Sequence, residues 1–456
     1  MTKKKKILWI SLSSVLAFIL ICCLSIFVYY LNITKPNPVP LSLTENQELQ
    51  SILEEKWGTE PLQTLYWKNA IPHYEDLYIY AQSAILLDTA TGTILFEKNA
   101  DDIIPPASMM KLVVMYVVFQ EIATGRVSLD DVVPLPRESW AINAPPNSSL
   151  MFLAEGQRVT LRELLLGLAI ASGNDAAVAV AHYISGSVDT FVERMNEEMK
   201  LLGLEHTHFV EPSGYDENNL TTPREFALFA KTYVTRYPES LTDFHSQTVL
   251  IYPREENLAS WHKGQGDSQA ITQYNTNKLL GVVPEVTGLK TGFIYESGYN
   301  LSLTAEKEGT CLLSITMGGP GQGSKEGNTY RQLDAETILD YGFSQFKTVD
   351  NTQKIEVPTI VLQGQKNSLL GEEARFNKVT VPNIPDEELI KTVKIDPYIV
   401  APVFAGDSIG EVIYTYGDIE VDTIPLIADR TVDTASKPKR LLDKLIAKFI
   451  SSDTVR

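Results

Sequence analysis

The longest apolar stretch of the chain lies near its N-terminus. Residues Ile7 to Leu31 are almost uninterruptedly hydrophobic, and four lysines, Lys3 to Lys6, precede them. At a helical rise of about 1.5 Å per residue, this stretch is long enough to cross a hydrocarbon layer of about 30 Å. Because positive charge stays on the cytoplasmic side, we predict a cytoplasmic tail over residues 1–6, a transmembrane anchor over 7–31 and an extracytoplasmic remainder at the cell membrane.

A cleaved signal peptide is the alternative interpretation of this stretch. Its apolar core would span about 7–15 residues and would end in small residues. Phe27 to Leu31 are bulky instead, which favours an uncleaved anchor. The proline-rich stretch from Lys35 to Pro40 then predicts an extended spacer, so residues 32–78 are interpreted as a stalk.

The hydrophobic pattern changes to that of a packed domain from residue 79. Strand-like runs end at Asp88 and Glu97 on either side of a turn at Gly92, helical periodicity dominates residues 109–202, and strand-like runs return over 286–317. Strands, then helices, then strands predict that the first hairpin pairs with the last strands. We therefore expect an α+β fold over residues 79–348, with helices packed on one antiparallel sheet.

The C-terminal part has a different pattern. Short runs rich in Val, Ile, Thr and Pro predict a small all-β domain over residues 349–433. Residues 436–453 predict an amphipathic helix, which either lies on a membrane surface or packs on its own domain. Its apolar face comprises Leu441, Leu442, Leu445, Ile446, Phe449 and Ile450, and its basic face comprises Arg440, Lys444 and Lys448.

Composition and charge narrow the classes of partner. The chain is 44% hydrophobic and 21% charged, as expected of packed domains, and its formal net charge of −18 disfavours nucleic acid as a partner. Its cysteines are Cys22, Cys23 and Cys311. Since two of these lie in the apolar stretch, neither a disulfide framework nor a cysteine zinc site is expected.

The first candidate motif is Ser108-Met-Met-Lys111, at the head of an apolar helical run. Residues i and i+3 share a helix face, so the lysine amine can lie beside the serine hydroxyl. A serine oxygen is a weak nucleophile until a base takes its proton, and a lysine of lowered pKa can do so. The same spacing recurs at Ser260, Ser344 and Ser436, so this motif alone also fits a helix-capping serine and a solvated lysine.

Two further motifs each occur once in the chain. Ser172-Gly-Asn174 falls between two helical segments, where a loop can present a hydroxyl and an amide to a cleft; the alternative is a turn that caps a helix. Lys290-Thr291-Gly292 lies at the end of a strand predicted over 286–290. A lysine and a hydroxyl suit a carboxylate, and glycine lets a ligand backbone approach. The alternative is an exposed strand end.

In this order, the three motifs resemble the signature set of the penicillin-binding proteins and serine β-lactamases. Residues 80–345 are similar to the low-molecular-mass D-alanyl-D-alanine carboxypeptidase family in particular. The similar stretches include Ala84–Phe96, Ala171–Ala179, Thr207–Gly214 and Asn275–Leu280. The resemblance implies a penicillin-binding or β-lactamase-like fold with a helical subdomain. It also implies a serine peptidase that acts on peptidoglycan stem peptides ending in D-Ala-D-Ala, is inhibited covalently by β-lactams, and needs neither a metal nor an organic cofactor.

The same resemblance implies roles for the residues of the first two motifs. Ser108 would attack the carbonyl between two D-alanines, with Lys111 as its base. Ser172 would relay a proton to the departing D-alanine, and Asn174 would hold the substrate amide and Lys111.

The resemblance also implies how substrate and transition state are bound. The backbone N–H groups of Ser108 and Phe293 would form the oxyanion hole. Lys290 and Thr291 would bind the terminal carboxylate beside Gly292. Some family members carry histidine at the position of Phe293; because the oxyanion hole uses a backbone nitrogen, we expect this difference to affect substrate preference rather than activity.

Three alternatives remain at this point. A class A β-lactamase would need Glu-x-x-Leu-Asn, and the nearest stretch, Glu217 to Thr221, lacks the asparagine. A D,D-endopeptidase or transpeptidase would use the same residues on the same scaffold. A non-catalytic penicillin-binding sensor would show a broken motif, whereas all three motifs are intact.

Overall fold

The computed structural model describes residues 3–57, 77–264, 270–349, 354–374, 378–384 and 387–450. The chain divides into a large unit, Leu62–Val349 with Thr380–Pro385, and a flanking unit, Met1–Pro61 with Asp350–Val379 and Asp386–Arg456. The helices of the described residues are α1 (Lys3–Ile33), α2 (Leu43–Trp57), α3 (Lys111–Ala123), α4 (Leu161–Leu166), α5 (Asn174–Ser185), α6 (Val188–Leu201), α7 (Pro223–Arg236), α8 (Ser324–Gln345) and α9 (Lys437–Ile446).

The strands follow in chain order. They are β1 (Ser83–Asp88), β2 (Ile94–Lys98), β3 (Val132–Val133), β4 (Val159–Thr160), β5 (Val249–Tyr252), β6 (Ile271–Tyr274), β7 (Val286–Ile294), β8 (Gly298–Lys307), β9 (Thr310–Gly319), β10 (Phe346–Val349), β11 (Glu356–Leu362), β12 (Ser368–Glu373), β13 (Val379–Pro382), β14 (Leu389–Ile395), β15 (Ile399–Val400), β16 (Ser408–Tyr416) and β17 (Ile419–Ala428).

The large unit contains a five-stranded antiparallel sheet in the order β2-β1-β9-β8-β7. Ile85 of β1 lies opposite Ile315 of β9, which confirms that the first hairpin pairs with the last strands. All six residues of β1 are buried. A continuous apolar run is what a strand covered on both faces requires, and α7 packs on β1 while α7 and α8 both pack on β9. The predicted α+β fold is therefore confirmed.

Helix α3 is the centre of the helical part of this unit. Ten of its 13 residues are buried, because it is apolar on every side. Helices α5, α6 and α7 contact it. The first residue of α3 is Lys111, so the burial of this helix also fixes the position of the first motif.

Helices α7 and α8 did not emerge from the sequence pattern. Helix α7 begins at Pro223, directly after its capping residue Thr222, whose side chain accepts a hydrogen bond from the Glu225 N–H. Helix α8 contains Gly327 and Gly342, and glycine inside a helix costs about 1 kcal/mol. A Cβ at Gly327 would lie 2.2 Å from the Tyr299 ring, and one at Gly342 would lie 2.6 Å from Leu312. These glycines therefore permit close packing of α8 on the sheet.

The flanking unit contains a six-stranded sheet in the order β14-β16-β17-β12-β11-β15. Its pairs are antiparallel except that of β11 with β15. The predicted C-terminal all-β domain is thus confirmed. Over Ser14–Ile33, α1 is long and apolar enough to span a membrane, with a mean hydropathy of 2.5.

Helix α9 packs within the flanking unit by one of its faces. Ile446 shares an apolar cluster with Ile33 of α1 and Ile360 of β11. The buried Asp443 carboxylate accepts the Tyr29 hydroxyl at 2.8 Å. The opposite face leaves three large apolar side chains exposed: Leu441, Leu445 and Phe449.

Candidate active site

The first motif forms a tight turn at the start of α3. Residues Ala107 to Met110 make one 3-10 turn that continues into Lys111. Ala107 has a φ of 51°, a left-handed conformation that is uncommon for alanine. Gly214 lies directly against this residue, since a Cβ there would be 2.2 Å from the Ala107 carbonyl oxygen. The backbone before Ser108 is therefore strained and closely enclosed, as often occurs at functional sites.

Lys111 is completely buried and has three polar neighbours. Its Nζ lies 2.9 Å from Ser108 Oγ and 2.8 Å from Asn174 Oδ1, and it also donates to the Ser213 carbonyl oxygen. Burial lowers the pKa of Lys111 to about 7, although the charge of Glu211 opposes the shift. A substantial fraction of this amine is therefore neutral near neutral pH.

The second motif lies where α4 leads into α5. After Leu166 the helix widens into a π-helical turn that ends at Ser172, whose φ is 58°. Asn174 is the first residue of α5. The next side chain, Asp175, accepts the backbone N–H groups of Met151 and Leu153 at 2.8 and 2.9 Å. These bonds hold the neighbouring loop against the motif.

The third motif lies inside β7. The strand predicted to end at Lys290 continues to Ile294, because Thr291, Gly292 and Phe293 all pair with β8. Lys290 is only 1% exposed, and its Nζ donates to the Thr291 carbonyl at 3.1 Å. Burial, with the charges of Lys111 and Arg331, lowers its pKa well below the ordinary value. Its burial excludes the interpretation as an exposed strand end.

Gly292 brings β7 against the Ser108 turn. A Cβ at this position would lie 2.5 Å from the Pro106 carbonyl oxygen and 3.2 Å from the Met109 nitrogen. No side chain fits at such distances without displacement of the backbone. The absence of a side chain at Gly292 therefore sets the separation between the strand and the turn.

An open cleft of about 850 Å³ joins the three motifs. Of the predicted site residues, Ser108, Ser172, Thr291, Gly292 and Phe293 line it. Lys111, Asn174 and Lys290 are buried. The structure thus brings all eight predicted residues to one site, with hydroxyls and backbone on the cleft wall and both lysines beneath the surface.

Three contributors to the site had no predicted role. The Ser213 carbonyl accepts from Lys111, and the Thr276 hydroxyl accepts from Thr291 Oγ1 at 2.7 Å. Both lie in stretches noted for their resemblance to the family, but spacing alone does not reveal a backbone acceptor or a hydroxyl partner.

The third contributor, Arg331, lies on a helix that the pattern did not predict. Its Nη1 donates to the Gly292 carbonyl at 3.3 Å and to the Asn300 carbonyl at 3.2 Å. Its guanidinium lies 5.2 Å from the centre of the Tyr299 ring. Burial lowers its pKa to about 10, so it remains a cation at neutral pH.

Comparison with known proteins agrees with this geometry. The model of the D-alanyl-D-alanine carboxypeptidase family matches residues 70–321, and that of the penicillin-binding protein 5 C-terminal domain matches residues 343–434. D-alanyl-D-alanine carboxypeptidase DacF of Bacillus subtilis is 31% identical over 73% of this chain and 81% of its own length. DacC of Escherichia coli is 30% identical over 81% of this chain and 88% of its own length.

Solved structures agree in fold. Penicillin-binding protein 5 of Haemophilus influenzae superposes with a TM-score of 0.69 at 29% identity, covering 78% of this chain and 98% of that one. Penicillin-binding protein 6B of Escherichia coli gives a TM-score of 0.59 at 30% identity, covering 77% and 96%.

The fold, the three motifs and these matches define a serine hydrolase of the penicillin-binding class. Within that class, the chain belongs to the D-alanyl-D-alanine carboxypeptidase family. The resemblance noted from the motifs is therefore confirmed.

The contact at Gly292 leads to a prediction about activity. A Gly292→Ala variant should lose about 100-fold or more in kcat/KM, because a displacement of about 1 Å between strand and turn misaligns the reacting groups. The measurement is D-alanine release from a peptide ending in D-Ala-D-Ala.

Gly309→Ala is the control for this variant. Gly309 has a φ of 84° in the β8–β9 turn, with no atom within 4 Å of a Cβ. The Gly309→Ala variant should lose about 1–2 kcal/mol of stability but keep its activity. Wild-type activity in Gly292→Ala would contradict the proposed tight fit.

Proposed function

We propose that the chain removes the terminal D-alanine of peptidoglycan stem peptides through an acyl-enzyme on Ser108. The observation that carries this proposal is the position of the Lys111 amine, 2.9 Å from Ser108 Oγ. The substrate class follows from the relatives, which are named D-alanyl-D-alanine carboxypeptidases.

Lys111 would act as the base that activates Ser108. A neutral amine has two N–H bonds and one lone pair. The Asn174 and Ser213 oxygens can each accept a hydrogen bond from one of these N–H groups. The lone pair is then directed at the Ser108 hydroxyl. Proton transfer to Nζ then accompanies attack of Oγ on the scissile carbonyl carbon.

The oxyanion would form between the N–H groups of Ser108 and Phe293. The tight contact of Gly292 with the Ser108 turn supports this pairing, because it brings the two backbones together. When the tetrahedral adduct collapses, the C–N bond breaks and Ser172 passes a proton from Lys111 to the departing amine. Water then attacks the ester carbonyl and gives a proton to Lys111. The acyl C–Oγ bond breaks, Lys111 returns that proton to Ser108 Oγ, and the shortened peptide leaves as a carboxylic acid.

Substrate binding would use the remaining predicted residues. Asn174 would hold a substrate amide, and Thr291 with Lys290 would bind the terminal carboxylate. Lys290 is buried beside other cations, so an arriving carboxylate would favour its charged form. Phe293 is partly exposed at the cleft, where its ring can contact the substrate.

β-Lactams would acylate the same serine, consistent with the penicillin-binding proteins among the similar structures. Residues 1–6 would be cytoplasmic, 7–31 a single-pass anchor, 32–78 a stalk, 79–348 the peptidase domain on the extracytoplasmic face, 349–433 the β domain and 436–453 the amphipathic segment. The apolar span of α1 and its preceding lysines support this topology. The exposed Leu441 and Leu445 of α9, with Phe449 in the turn that follows it, favour contact with the membrane surface.

A D-alanine release assay on membranes that carry the full chain tests the nucleophile. Ser108→Ala should abolish release from a pentapeptide ending in D-Ala-D-Ala, because the acyl acceptor is lost. Ser344→Ala alters a second Ser-x-x-Lys sequence, which begins on α8, and this variant should release D-alanine at the wild-type rate.

An alkaline wash of the same membranes tests the anchor. The wash should leave the chain in the membrane.

Equal rates for Ser108→Ala and wild type would refute the nucleophile assignment. Extraction of the chain by the wash would refute the anchor. If the wild type releases no D-alanine but a fluorescent penicillin still labels Ser108, the endopeptidase, transpeptidase or sensor interpretation would replace the proposed function.

The pH dependence of acylation tests Lys111 as the base. The rate of acylation by a fluorescent penicillin should rise with pH through a midpoint near 7, since the amine must lose its proton. Asn174→Asp places a carboxylate where an amide oxygen now lies 2.8 Å from Nζ. An anion favours the ammonium form, so the midpoint should move to higher pH by about one unit or more.

Asn147→Asp is the control for charge in the cleft. Asn147 lines the cleft, outside the hydrogen-bond partners of Lys111 described above. This variant should shift the midpoint much less. Equal midpoints for Asn174→Asp and the wild type would show that another group titrates.

A further inference from the structure

Glu211 lies at the centre of a tight turn beside the site. Its two carboxylate oxygens accept hydrogen bonds at 2.6–2.8 Å from the Ser213 N–H and hydroxyl, the Gly214 and Tyr215 N–H groups and the Asn219 side-chain amide. Two groups of this turn contact the catalytic centre. The Ser213 carbonyl accepts from Lys111, and Gly214 packs against Ala107, the residue before Ser108.

We propose that Glu211 is a positioning residue for the acylation step: its carboxylate builds the turn that holds the Ser213 carbonyl against Lys111, and it fixes one negative charge beside that amine. This inference rests on the proposed function, because it gives Glu211 a role only through Lys111.

Glu211 is not arranged to act as a base itself. A carboxylate offers about four lone-pair sites, and the five donors at 2.6–2.8 Å already occupy those of Glu211. Taking a proton from water would require breaking these bonds. Its contribution is therefore to hold the turn and to supply charge.

The charge of Glu211 matters because charged groups of both signs surround the Lys111 amine. Glu211 faces it from the loop and Asp175 from α5, while Lys290 on β7 is a nearby cation backed by Arg331 on α8. Burial disfavours the ammonium, and Glu211 is the larger of the two anionic influences that oppose this effect. Removing its charge should leave the amine neutral down to lower pH.

Glu211→Gln tests the charge in the full-length chain. The side chain keeps its size but loses its charge and exchanges one acceptor oxygen for an NH2 group. The maximal rate should therefore fall, and the midpoint of penicillin acylation should move to lower pH by at least about half a unit. Glu217→Gln is the matched control, because Glu217 is an exposed carboxylate of the same loop. This control should leave the midpoint unchanged.

Glu211→Asp tests the positioning separately, and it applies even where Glu211→Gln does not fold. The charge stays but the shorter side chain cannot reach all five donors. The midpoint should remain at the wild-type pH, while the maximal acylation rate should fall about 10-fold or more, since misplaced groups lose effective molarity.

Three results would overturn the proposal: a wild-type midpoint in Glu211→Gln, an equal shift in Glu217→Gln, or a wild-type maximal rate in Glu211→Asp. Failure of the proposed function is distinguishable from these. In that case the wild-type chain itself would not be acylated at Ser108, which would overturn the role of Lys111 as base and, with it, the role of Glu211.

Discussion

The burial of the Lys111 amine is the constraint on which the rest of the site depends. A lysine in water is protonated at neutral pH and cannot accept a proton from a serine. Here the amine is removed from water, and its pKa falls to about 7. Burying a polar group requires partners for it, and the Asn174 and Ser213 oxygens supply them. Because those two acceptors are fixed, the remaining direction of the amine is toward Ser108.

This requirement explains why distant parts of the chain meet at one place. The amine stands on α3, which the helical core encloses, and its acceptors come from α5 and from the Glu211 turn. In the proposed mechanism, β7 must also approach the Ser108 turn closely enough to contribute an N–H group to the oxyanion hole. Glycine at position 292 makes that approach possible, and glycine at position 214 does the same on the side of the loop. The site therefore depends on close contacts between backbone segments as well as on the chemistry of its side chains.

Much of the site could be predicted from sequence because its chemistry lies in short motifs of fixed order. The order of strands and helices also predicted the sheet correctly, since the first hairpin and the last strands are apolar runs that must be covered. Helix α8 escaped prediction, because its glycines, which look unfavourable in a helix, are required by packing against Tyr299 and Leu312. The roles of Arg331 and of the Ser213 carbonyl could not be predicted, because both act through tertiary contacts that leave no spacing pattern.

The most direct test of this account is an NMR titration of the Lys111 amine in the free enzyme. Isotope-labelled lysine would report each side-chain pKa, and the Lys111 signal would be assigned by its loss in Lys111→Met. We expect a midpoint near 7. A midpoint near the ordinary lysine value of about 10.4 would contradict it, because Ser108 would then have no neutral base beside it at neutral pH.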